Sequence, residues 1–147
     1  EWVNPDTTNT AFRRVNANGT WTPWARLYTG ANAEGDPVSG VGLMSKTVVG
    51  GWNISKYING QICIQGYSPV SAVLPPNQPT VVTVALPVAI VLGSGSVYVN
   101  PQPQMTYEHF GALNCYVNGT SAVDIIIRNG STAQSFQNAV TVWGAWK

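Results

Sequence analysis

Charge is what this sequence has least of. Acidic and basic residues together occupy 9% of 147 positions, against about 25% in ordinary soluble domains. Seven Lys and Arg nearly cancel six Asp and Glu, leaving a net charge of +1. Arg13, Arg14 and Arg26 form the sole basic cluster, so no nucleic-acid footprint is expected. Histidine occurs once, too little for a metal site within one chain. The two cysteines, Cys63 and Cys115, lack any metal-binding spacing. Both sit in strand-like surroundings, QICIQGY and LNCYVNG, and read as small buried hydrophobes in preference to a disulfide. Long apolar runs are missing as well. The most apolar stretch, residues 81–92, contains Thr83 and Pro87 and is too short to cross a bilayer, so no membrane insertion is expected. Helix signals are nearly absent, because no three-to-four periodicity is sustained and Gly and Pro recur throughout. The opening Glu1-Trp2-Val3 reads as the start of a mature product or of a piece of a longer polypeptide.

What remains is apolar and neutral-polar. Hydrophobic residues make up 44% of the chain, which excludes a disordered polypeptide. The surface must then be built from Asn, Gln, Ser, Thr and Gly, a composition commoner in extracellular or assembled β proteins. Strand signals run the length of the chain: AFRRV, WTPWARLY, GQICIQGYS, PTVVTVALPVAIVLG (broken at Pro87), SVYVN, GALNCYVNG, AVDIIIRNG and NAVTVWGAW. Asn-Gly pairs at Asn18, Asn59, Asn118 and Asn129 supply the positive φ angles of tight hairpins. Short strands at this spacing predict an all-β chain, an antiparallel sandwich or barrel. Asn18, Asn53, Asn118 and Asn129 also satisfy the N-glycosylation pattern, but the turn reading explains the Asn-Gly pairs without it. A Gly-rich stretch with no clear strand, TGANAEGDPVSGVGLMSK, divides the chain. Residues 1–46 read as an aromatic hairpin plus connection, and residues 47–147 as one compact domain.

The segment FRRVNANGTWTPWARLYT resembles the repeat near the C-terminal ends of bacteriophage tail fibres. The carrying residues are Gly19, Trp21, Trp24, Arg26 and Leu27, in the pattern Gly-x-Trp-x-x-Trp followed by a basic residue and Leu. The closing DIIIRNGSTAQSFQNAVTVWGAWK is similar in style to the final strands of a fibre head. The resemblance implies a homotrimer, with an N-terminal neck or shaft hairpin and an antiparallel β-sandwich head or knob. It places the chain at the extracellular tip of a virion's tail fibre, where the head adheres to a host surface receptor, lipopolysaccharide or another glycan. Trp21, Trp24 and Arg26 would then lie between chains, where such side chains bury large areas while keeping a polar handle. Each buried ring contributes about 1.5–3 kcal/mol. Packing of both tryptophans within their own chain is the alternative. A purely structural trimerisation or capping domain and a secreted lectin-like domain are the competing functions.

Glycan binding requires flat aromatic faces for the C–H side of a sugar, flanked by groups that hydrogen-bond its hydroxyls. Two stretches, both expected as loops after the neck, offer them. GGWNISKYING, residues 50–60, carries Trp52, Lys56 and Tyr57, although Trp52 on a strand would read equally as core. NPQPQMTYEHFGALN, residues 100–114, gathers Tyr107, Glu108 and His109 behind Pro101 and Pro103, as expected of a loop or edge strand. A packed corner is the alternative there. Axial metal in phage fibres uses His-x-His; Tyr107 and Gly111 flank His109 instead, so neither metal nor cofactor is expected. No enzyme is expected either. The six carboxylates suggest no catalytic pair across a cleft, and no Gly-x-Ser-x-Gly elbow is present.

Overall fold

A computed structural model describes residues 2–3, 11–13, 16–22, 25–27, 35, 42–105 and 110–147. Every regular element among them is a strand. Five short ones come first: β1 (Trp2–Val3), β2 (Ala11–Arg13), β3 (Asn16–Ala17), β4 (Thr20–Trp21) and β5 (Ala25–Leu27). They form a small antiparallel sheet of order β1-β2-β5 and a separate hairpin, β3-β4. The hairpin turns on Asn18 and Gly19, with φ of 52° and 81°, the pair of positive values that a two-residue turn matching strand twist demands.

Eight longer strands follow: β6 (Met44–Val49), β7 (Trp52–Tyr57), β8 (Gln61–Tyr67), β9 (Pro79–Ala85), β10 (Ser96–Pro103), β11 (Gly111–Asn118), β12 (Ala122–Arg128) and β13 (Phe136–Ala145). They make a five-stranded sheet of order β10-β13-β8-β7-β6 and a three-stranded sheet of order β11-β12-β9, all antiparallel. The strand β6 straddles the expected boundary at residue 46, so the five-stranded sheet begins inside the Gly-rich stretch.

The two sheets face each other across one core. Side chains alternate between faces of a strand, and β13 shows the consequence plainly. Phe136, Asn138, Val140 and Val142 are buried, while Gln137, Ala139, Thr141 and Trp143 point the other way. Ile62 and Ile64 of β8, Val123, Ile125 and Ile127 of β12 and Val84 of β9 share the interior with them. Each such aliphatic side chain contributes about 1.5–3 kcal/mol on burial, which makes this β-sandwich the principal packed body among the described residues.

Three local expectations change. The stretch 50–60 is not a loop: it is β7 between two turns, Gly50-Gly51 and Asn59-Gly60. Trp52 is accordingly core, 6% exposed, because its β7 position faces the second sheet and its ring lies flat against Gly66 of β8. Asn129-Gly130 is not a hairpin turn either. Asn129 is buried, donating from Nδ2 to the carbonyls of Leu74 at 3.0 Å and Thr132 at 2.8 Å. Pro101 and Pro103, by contrast, sit where a proline costs no ladder hydrogen bond, on edge strand β10 beside β13. Both cysteines are free thiols, as expected: Cys63 is buried on β8, and Cys115 on β11 is half-buried.

Candidate functional site

The face of the five-stranded sheet turned away from the core has no covering layer among the described residues. Register determines what it carries. Thr141 on the interior strand β13 stands between Gln65 of β8 and Tyr98 of β10, and Ala139 stands between Tyr67 and Asn100. Asn53 of β7 lies beside Gln65. A small residue, Ala139, thus sits at mid-sheet with larger neighbours on both sides. The result is a hollow of about 450 Å³ lined by Asn53, Gln65, Tyr67, Tyr98, Asn100 and Thr141. Tyr98 is 72% exposed and Tyr67 57%. Among the described residues, the side chains of Asn53, Gln65, Asn100 and Thr141 make no hydrogen bond within the chain. Their donors and acceptors are available to whatever lies on this face.

A second hollow, of about 350 Å³, lies further along β13 and is lined by Gln61, Ser94, Ser96, Trp143, Gly144 and Ala145. Trp143 is stacked on Tyr57, with ring centroids 6.1 Å apart and planes 20° from parallel. Tyr57 is therefore on the candidate face, as the support of a tryptophan that the sequence did not single out. The cross-strand neighbours Ser55 and Trp143 flank Cys63 on this side of the sheet, and burial pushes its thiol pKa up. Such a thiol is a poor nucleophile. Lys56 alternates to the opposite side of β7. Its Nζ lies 5.4 Å from the Trp146 ring centroid, and Lys147 Nζ lies 4.8 Å from the same ring. Trp146 is fixed by its Nε1, which donates to the Tyr57 carbonyl at 2.9 Å.

The remaining expected residues are dispersed. Tyr107, Glu108 and His109 lie outside the described residues. Phe110 packs its ring on buried Phe136 at 5.5 Å, anchoring the chain where β11 begins. Trp21 is 43% exposed on β4. Trp24 and the side chain of Arg26 lie outside the described residues.

Among the described residues, the one acidic side chain is Asp124, on the other sheet. Asp124 of β12 is 7% exposed and accepts hydrogen bonds from Thr83 Oγ1 at 2.7 Å and Asn118 Nδ2 at 2.9 Å. Its charge, with smaller contributions from burial and a hydrogen bond to it, raises the pKa of the neighbouring Tyr116. Neutral donors hold this carboxylate. Among the described residues, no group of His, Cys, Asp and Glu gathers into a metal-binding cluster.

No family model and no curated protein matches the sequence. The structure is similar to the C-terminal part of the R1 pyocin fibre of P. aeruginosa, with a TM-score of 0.55 at 11% identity, over 97% of this chain and 56% of that one. The C-terminal part of the R2 pyocin fibre from the same organism superposes with a TM-score of 0.37 at 14% identity, over 92% and 50% of the two chains. The chain spans little more than half the length of the R1 fibre fragment, and what the two share is the fold. This all-β antiparallel chain has the fold of a fibre's C-terminal part.

Proposed function

We propose that this chain is the receptor-binding region at the tip of a tail fibre, on a phage or a phage-tail-like particle. There it adheres, outside the cell, to a bacterial surface glycan such as lipopolysaccharide. The observation that carries the reading is the hollow between Tyr67 and Tyr98. Exposed rings flank unspent amides and a hydroxyl, on a body with a fibre fold. Aromatic faces take the C–H side of a sugar and the amides take its hydroxyls. The role we propose is binding without catalysis; among the described residues the one acidic side chain, Asp124, is held by Thr83 and Asn118.

Assembly is as a homotrimer with the N-terminal hairpin as neck. The hairpin's Trp21, Trp24 and Arg26 favour this reading, because interfaces between copies are enriched in Trp and Arg. The trimerising role and adhesion are compatible in one molecule.

Adsorption of labelled protein to a panel of Gram-negative cells tests the reading. Tyr67→Ala and Tyr98→Ala are each expected to weaken adsorption about tenfold or more while leaving the far-UV spectrum and melting temperature unchanged. Normal adsorption by both variants overturns the assignment of this face.

A further inference from the structure

Resting on the reading of this face as a glycan site, we propose that its two hollows are successive subsites of one track. The track holds a neutral oligosaccharide of several units laid along β13, not a single terminal sugar.

The spacing comes from the strand. Ala139 and Thr141 belong to the first hollow, Trp143 and Ala145 to the second. These are consecutive outward positions of β13. At about 3.4 Å per residue the two hollows are centred about 14 Å apart, beyond the span of one sugar ring. Their composition repeats. The first sets Tyr98 beside Thr141 and Asn100; the second sets Trp143 beside Ser96 and Gln61. Ser96 and Tyr98 are themselves consecutive outward residues of β10, facing Trp143 and Thr141. A ligand thus meets one aromatic ring and one set of neutral hydrogen-bonding groups, and then meets them again. Tyr57 stacked behind Trp143 holds the second ring in place before binding, which lowers the ordering cost of association.

Charge selects the ligand class. Among the outward positions of the five strands, Lys46 on edge strand β6 is the one ionisable cation, and no carboxylate is present. A neutral polyol matches this surface. A second protein would cover the amides of the first hollow, Asn53, Gln65 and Asn100, which have no partners of their own, and burying such groups unsatisfied costs free energy. Sugar hydroxyls, spaced along a chain and able both to donate and to accept, satisfy them.

The test uses the full chain and a strain to which it adsorbs. Oligosaccharides released by mild acid from that strain's lipopolysaccharide are separated by length and used to inhibit adsorption. The half-inhibitory concentration is expected to fall at least tenfold between fragments of one or two sugars and fragments of four to six, with no change between low and high salt. Trp143→Ala is expected to abolish the gain from length. Ser96→Arg, which fills the second hollow from an exposed position without touching the core, should do the same if the tryptophan variant fails to fold. Inhibition that does not depend on length, or that survives Ser96→Arg at every length, overturns the track while leaving adhesion through the first hollow intact. Inhibition lost in high salt overturns the neutral ligand. Adsorption unaffected by both Tyr98→Ala and Ser96→Arg removes the adhesive face itself, and the track with it.

Discussion

A methyl group added at Gly66 would sit 2.6 to 2.9 Å from three atoms of the Trp52 ring. The glycine is therefore part of how that tryptophan fits, and Gly66→Ala is expected to cost about 1–3 kcal/mol through overpacking, read as a lower urea midpoint with unchanged slope. Tyr98→Ala, on the open side of the same sheet, should change stability by no more than about 0.5 kcal/mol. The contrast separates core aromatics from binding aromatics by stability alone. Tyr116 offers a second residue-level prediction. The Asp124 charge beside it favours the neutral phenol, so its pKa is raised in the folded state. A group raised in this way contributes stability that is present below its unfolded pKa and is lost as pH rises through the folded value. Stability should thus decline above about pH 10, and Asp124→Asn should return one tyrosine to an earlier step in a spectrophotometric titration.

At the scale of elements, legibility followed charge and proline. The strands β8, β9, β12 and β13 were readable because apolar and β-branched residues dominate them. The strand β7 was not, since WNISKY mixes Trp52 and Ile54 with Asn53, Ser55 and Lys56 between glycine turns, and that mixture also suits a recognition loop. Its pairing with β6 and β8 on either side resolves the ambiguity. The proline-bearing end of β10 was legible as a loop or an edge strand, because proline cannot donate, and its pairing with β13 decides for the edge strand. Asn129 was misread because the Asn-Gly pair is a local signal, whereas its partners are Leu74, Thr132 and Gln134. Asn129→Ala should remove the Nδ2 donor from the Leu74 and Thr132 carbonyls, lowering stability by about 1–3 kcal/mol in denaturant unfolding. For the same reason Asn129 should stay unglycosylated in the folded protein made in a eukaryotic secretory host, as intact mass would show.

For the whole molecule, light scattering during size-exclusion chromatography should give the mass of three chains, and a monomer would remove the interface account of Trp21. An all-β chain was determined by the sequence itself. Alternating apolar residues and Asn-Gly turns act over a few positions, and the physics that reads them is equally local. The same is true of the neutral surface, since 9% charged residues leave amides and hydroxyls to meet water. Which aromatic belongs to the core and which to the binding face is not a local property. Trp52 and Trp143 both lie on strands of the same five-stranded sheet. One is buried and one exposed because the three-stranded sheet covers a single face of its partner, and strand register alone decides which side chains that face receives.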